Sequence, residues 1–288
     1  MPVVSVPPFL ALPRGVQPAR LSVNGVAMAA LEIGSPESDQ RALLVPGFTG
    51  SKEDFIALLP LLGDAGVHAV AVDLVGQYES RTNAAEERFT LAALAADLVA
   101  TSGARWPVGR RPHLVGHSLG GLIAREAVLT APGAFESLVL MSSGPGAVPA
   151  HQRPALEALE ALLPQTDLEV LWEAKQSLDA AKDLPLPPPE IQAFLRERWL
   201  CNNPVGLRAK AGILLRAPDR TDELAALSTR SMVVHGSDDD VWSPDLQRQM
   251  AERLNASHHP IEAVGHSPAA EAAEETAAAL LEFWRDEG

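Results

Sequence analysis

The chain has 288 residues, 47% hydrophobic and 21% charged, the balance of a soluble globular protein with one large core and room for an insertion. Its 37 acidic and 23 basic residues leave a formal net charge of −14, which repels phosphate backbones and argues against a nucleic-acid partner. A single cysteine, Cys201, excludes an intrachain disulfide and a cysteine-based metal site. No run approaches the ~18 apolar residues of a bilayer span, and the proline-broken start "MPVVSVPPFLALPRG" lacks the pattern of a signal peptide, so a cytoplasmic protein without membrane insertion is expected.

In chain order, "ARLSVNGVAMAALEIG" alternates around Asn24-Gly25, a two-residue hairpin signal. "RALLVPGF" reads as a buried strand ending in a glycine turn. "SKEDFIALLPLLGDAG" reads as a helix with Ser51 at its N-cap and Asp54 in reach of a capping box. "VHAVAVDL" is a second buried strand and "FTLAALAADLVATSGARW" a long helix. "PHLVGH", "SLGGLIAREAVLTAP" and "ESLVLMSSG" read as strand, helix and strand. From 145 to 227 strand signals cease and the text is helical and broken by prolines, with "LPLPPPE" (184–190) as a stiff connector. "RSMVVHG", "SPDLQRQMAERL", "SHHPIEAVGH" and "AAEAAEETAAALLEFWRDEG" then resume the alternation as strand, helix, strand and helix.

Apolar strands alternating with helices predict an α/β fold, a doubly wound, mostly parallel sheet of eight strands with an antiparallel edge. The predicted division is a core of 1–144 plus 228–288 and a helical cap of 145–227. Ligands of such sheets bind beyond the C-terminal strand ends. At one of these, "LVGHSLGG" places Ser118 between a strand and a helix as G-x-S-x-G, the pattern of a nucleophile elbow.

Serine is a weak nucleophile at neutral pH without an imidazole base and a carboxylate to orient it. Of eight histidines, only His266, in "VGHSPAAE", follows a strand end. His117 adjoins the serine but should point into the supporting structure. "VVHGSDDDVWSP" offers an acid after a strand: Asp239 is preferred, with Asp238 as the alternative. The backbone N–H groups of Leu119 and, in "VPGFTG", of Phe48 are expected to form an oxyanion hole. Substrate-pocket candidates are Trp172, Phe194 and Trp199 in the cap and Trp242 after the acid loop. Cys201 reads as a small buried residue, and Tyr78 as a residue near the mouth or on a solvent-facing loop. No metal or organic cofactor is expected.

The motifs "VPGFTGS", "VDLVGQYES", "LVGHSLGG", "VVHGSDDDVWSP" and "VGHSPAAE" occur in the order found in α/β-hydrolases, which the chain resembles over nearly its whole length. The resemblance implies a Ser118–His266–Asp239 triad, Phe48 and Leu119 at the oxyanion positions, and a capped, serine-dependent esterase or lipase-like enzyme acting on a small-molecule ester with small to medium apolar groups. The oxyanion loop carries Pro46-Gly47 where many relatives have His-Gly. Two segments, "PGFTGS" and "GHSLGG", are also similar to the menaquinone-pathway synthases and the C–C bond hydrolases, although Leu122 stands where the synthases often carry a basic residue. C–C cleavage, lyase or thioester chemistry on the same triad therefore stays open, with Arg125, Arg196, Arg198 and Arg208 as cations that would hold a carboxylate or enolate. A non-enzymatic small-molecule receptor on the same scaffold is the third possibility, and the oligomeric state is left open.

Overall fold

A computed structural model of the chain describes residues 5–180 and 186–285. Its strands are β1 (Gln17–Val23), β2 (Val26–Ile33), β3 (Gln40–Val45), β4 (Val67–Val72), β5 (His113–His117), β6 (Ser137–Met141), β7 (Arg230–Gly236) and β8 (Ser257–Ile261). The helices are α1 (Leu58–Asp64), α2 (Leu91–Arg105), α3 (Leu119–Thr130), α4 (Arg153–Leu162), α5 (Leu168–Ala180), α6 (Pro189–Leu200), α7 (Pro204–Arg216), α8 (Thr221–Ala225), α9 (Pro244–Leu254), α10 (Pro268–Glu271) and α11 (Ala273–Arg285).

The eight strands form one sheet in the order β1-β2-β4-β3-β5-β6-β7-β8. β1 pairs antiparallel with β2, and β2 with β4. The remaining pairs are parallel. Asn24 and Gly25 close the β1–β2 hairpin with φ of 44° and 80°, the left-handed pair that a tight hairpin turn demands.

The central strands are buried on both faces because each face carries its own apolar layer. In β4, Val70 and Val72 join the layer that includes Leu94, Leu98 and Ile123 of α2 and α3. Val67, Ala69 and Ala71 join Leu58, Leu62, Leu280 and Trp284 of α1 and α11 on the other side. This two-sided burial explains why the central strands read as continuous apolar runs.

Local chemistry trims several expected elements. The run after Ser51 is a 3-10 turn, Lys52–Phe55, followed by the shorter helix α1. Asp54 Oδ2 accepts the Ser51 N–H at 3.2 Å, the carboxylate half of the expected capping box. Helix α2 starts after Thr90, whose hydroxyl accepts the Ala93 N–H. The closing helix is divided at Ala272 into α10 and α11. Part of "LPLPPPE" and the last three residues of the chain lie outside the described residues.

Helices α4 to α8 all lie between β6 and β7. Two buried cations tie them to the rest. Arg198 of α6 pairs with Asp54 at 2.6 Å, both almost fully buried. Lys210 of α7 donates to the Val75 carbonyl at 2.7 Å and lies over the Phe89 ring. Burial pushes the Lys210 ammonium down to about 7.

Between pH ~7 and ~10, then, the unfolded chain holds a proton at Lys210 that the folded chain has released, so this group makes stability rise with pH across that window. Below the folded value its cost is constant. The stability of Lys210→Met relative to the wild type should therefore fall from pH 7 to pH 10 by on the order of 3–4 kcal/mol. Urea melts of both proteins at the two pH values check this, and parallel curves would contradict it.

Candidate active site

Ser118 sits between β5 and α3 at φ 55°, ψ −120°. This strained backbone is rare for a residue with a side chain. It persists because the surrounding chain is pressed against it. A Cβ on Gly116 would lie 2.4 Å from the Gly120 carbonyl oxygen, and one on Gly120 would lie 2.6 Å from the Pro46 and Val45 carbonyl oxygens. Only glycine lets β5, α3 and the end of β3 approach this closely. Further bonds fix the turn: the Ser118 N–H donates to the Met141 carbonyl, the Gly121 N–H to the Ser118 carbonyl, and Ser143 Oγ to the same Ser118 carbonyl at 2.8 Å.

His266 Nε2 lies 3.0 Å from Ser118 Oγ, and its Nδ1 lies 2.9 Å from Asp239 Oδ1. All three side chains are buried. Asp239 is the buried member of the aspartate run, whereas Asp238 and Asp240 are exposed. Its Oδ1 also accepts the Val241 N–H, and its Oδ2 accepts Gln247 Nε2 at 2.9 Å. Burial works against ionisation of Asp239, but the bonds from His266, Val241 and Gln247 outweigh it and hold the carboxyl below its usual range. An ionised Asp239 can accept only from a protonated Nδ1, which leaves Nε2 of a neutral imidazole free to accept the Ser118 proton.

Two supporting residues were not singled out for these roles from the sequence. Gln247, fully buried on α9, uses one amide nitrogen to bridge Asp239 and the Trp242 carbonyl. His117 lies beside His266, with ring centroids 5.0 Å apart. Its Nε2–H donates to the His266 carbonyl at 2.7 Å, and burial lowers its pKa to about 3, so it stays neutral and acts as a donor. A first-turn helix residue and a strand residue give no sequence signal for these long-range contacts.

The turn after β3 abuts Ser118. A Cβ on Gly47 would fall 3.0 Å from Ser118 Cβ and 3.2 Å from His117 Nδ1. Phe48, next in sequence, is buried on the wall of the same cavity. Leu119 is the first residue of α3, where a backbone N–H has no acceptor within its own helix.

The cavity above Ser118 has a volume of about 20 Å³. Phe48, Val148, Leu156, Leu214, Val241 and Trp242 form its apolar wall. Of the four aromatic residues expected to line a pocket, Trp242 does so. Trp172, Trp199 and Phe194 are absent from the wall because they pack elsewhere. Trp172 and Trp199 lie against each other, with ring centroids 6.3 Å apart, and Trp199 Nε1 donates to the Leu168 carbonyl. Phe194 meets the edge of Tyr78.

The four arginines considered as pocket cations are also engaged. Arg125 donates to the Pro145 and Pro218 carbonyls. Arg196 pairs with Glu169 and Arg208 lies near Glu86, both on exposed positions. Arg198 is taken by Asp54. Cys201 is half-buried beside Arg81. Among the described residues, no group of three or more His, Cys, Asp or Glu is placed to hold a metal ion, and no helix is long and apolar enough to cross a membrane.

Comparison with known proteins agrees with this architecture. The curated protein named "Putative carbamate hydrolase RutD", from Variovorax paradoxus strain S110, is 28% identical over 264 residues, covering 88% of this chain and 94% of that protein. Among solved structures, an esterase from Thermogutta terrifontis superposes with a TM-score of 0.74 at 22% identity, covering 93% of this chain and 98% of that one. The enol-lactonase from Burkholderia xenovorans LB400 superposes with a TM-score of 0.76 at 14% identity, covering 93% and 100%. A model of the alpha/beta hydrolase family matches residues 42–279. With that match running from β3 through most of α11, the chain belongs to the α/β-hydrolase family and is a hydrolase.

Proposed function

We propose that the chain is a serine esterase that cleaves carboxylic esters of small to medium apolar substrates through an acyl-enzyme. The observation that carries this reading is the continuous line of hydrogen bonds from Ser118 Oγ through His266 to Asp239. His266 Nε2 takes the Ser118 proton as Oγ attacks the ester carbonyl. Asp239 orients the ring and stabilises the imidazolium that forms. The Phe48 and Leu119 N–H groups hold the oxyanion. His266 then returns the proton to the leaving alkoxide, which departs as the alcohol. Water, deprotonated by the same nitrogen, releases the acid and restores Ser118.

The rest of the reading follows from the cavity. About 20 Å³ holds roughly one water molecule. An acyl group enters only when the segments bearing Val148, Leu156 and Leu214 move outward, so residues 145–227 act as a cap over a core of 1–144 and 228–288. Apolar walls favour apolar acyl groups, and none of the four arginines lines the cavity, which disfavours the C–C hydrolase and lyase readings. No cofactor enters this mechanism, and the reading keeps a cytoplasmic location. Carbamate hydrolysis is the second reading, favoured by the name of the relative from Variovorax paradoxus.

Ser118→Ala should lower kcat for p-nitrophenyl acetate at least ~10³-fold with an unchanged far-ultraviolet spectrum, and retained turnover would contradict the nucleophile. Gln247→Leu frees one Asp239 oxygen and should lower kcat about tenfold with little change in KM, as steady-state kinetics would show. An unchanged kcat would remove Gln247 from the account. The ester should exceed a matched p-nitrophenyl carbamate in kcat/KM, and the reverse order would move the assignment to carbamates.

A further inference from the structure

The cavity above Ser118 is not apolar all round. Beside Ser118, His117 and His266, its wall includes Asp54, Ser5 and Gly50. Asp54 is 2% exposed and belongs to the turn after the oxyanion loop. A carboxylate has about four lone-pair sites. At Asp54, Arg198 Nη1 takes one on Oδ1 at 2.6 Å and the Ser51 N–H takes one on Oδ2 at 3.2 Å. Acceptor capacity therefore remains on an oxygen pair at the cavity wall.

Ser5 is 6% exposed. Its carbonyl accepts Arg198 Nη2 at 2.6 Å, while its hydroxyl has no hydrogen-bond partner among the described residues. A buried hydroxyl without a partner costs stability. A buried ion pair is no strong source of stability either, since apolar replacements often do as well. Here one guanidinium grips both the Asp54 carboxylate and the Ser5 carbonyl, fixing two polar residues on the cavity wall, which also carries Gln152.

We propose that Asp54 and Ser5 form a polar subsite that recognises a neutral hydroxyl group carried by the substrate. The inference rests on the serine-hydrolase reading of the same cavity and adds the substrate class to it. The substrate hydroxyl would donate a hydrogen bond to the free lone pairs of Asp54 and accept one from the Ser5 hydroxyl. Arg198 cancels the carboxylate charge, so the subsite selects a neutral donor over an ammonium group. A substrate without such a group would leave the Ser5 hydroxyl unpaired, the situation in which enzymes reject isosteres most strongly.

The test uses ester pairs that differ by a hydroxyl in place of a methyl group. On the acyl side these are p-nitrophenyl 3-hydroxybutyrate and 3-methylbutyrate, and on the alcohol side 2-hydroxyethyl butyrate and propyl butyrate. In one pair the hydroxyl member should have at least ~10-fold higher kcat/KM, and Ser5→Ala and Asp54→Asn should each bring that ratio below about threefold. Asp54→Asn leaves Arg198 without its anion and can unfold the chain, so Ser5→Ala gives the decisive second reading. Ratios near one in both pairs, or a ratio kept in Ser5→Ala, would overturn the subsite. Hydrolysis of none of the four esters would instead overturn the esterase reading beneath it.

Discussion

The backbone of Ser118, held at φ 55°, ψ −120°, is the constraint on which the rest of the site depends. A turn of this kind costs on the order of 1–3 kcal/mol and survives only where its neighbours leave no alternative. Gly116 and Gly120 let three segments converge on it, and Ser143 and Met141 fasten it from β6. The strain keeps the hydroxyl at the mouth of α3, within 3.0 Å of His266. The parallel sheet does the remaining alignment. Adjacent β5, β6, β7 and β8 carry Ser118, its support, Asp239 and His266 beyond their C-terminal ends.

His266 is fixed from two directions. Asp239 holds the ring at Nδ1, and neutral His117 holds the backbone of the same residue. Asp239 is in turn fixed by Gln247, which also grips the loop through Trp242. Each contact joins a strand-end loop to a different element. The geometry is therefore set by the packed core rather than by the loops alone, as preorganised catalysis requires.

Much of this was legible in the sequence, for identifiable reasons. Strands buried on both faces leave uninterrupted apolar runs, such as "VHAVAV", and their ends mark where functional loops emerge. Ser118, Asp239 and His266 follow β5, β7 and β8, and the structure brings them within hydrogen-bonding distance. The pocket was less legible. Trp172, Trp199 and Phe194 are large and apolar, but size alone does not tell packing inside a helical layer from facing a ligand; the two tryptophans pack on each other and Phe194 on Tyr78. The smaller Val148, Leu156 and Leu214 line the cavity instead. Asp54 was read as a capping residue, which it is, yet it also meets Arg198 from 144 positions away. No local pattern encodes a contact at that separation.

The central claim is that Ser118 is the one activated nucleophile, and covalent trapping tests it most directly. The protein is incubated with a fluorophosphonate at pH 8 and the modified peptide is located by mass spectrometry. The account predicts a single adduct on Ser118, with labelling slowed sharply in His266→Ala. An adduct on another residue, or no adduct in the folded protein, would contradict it.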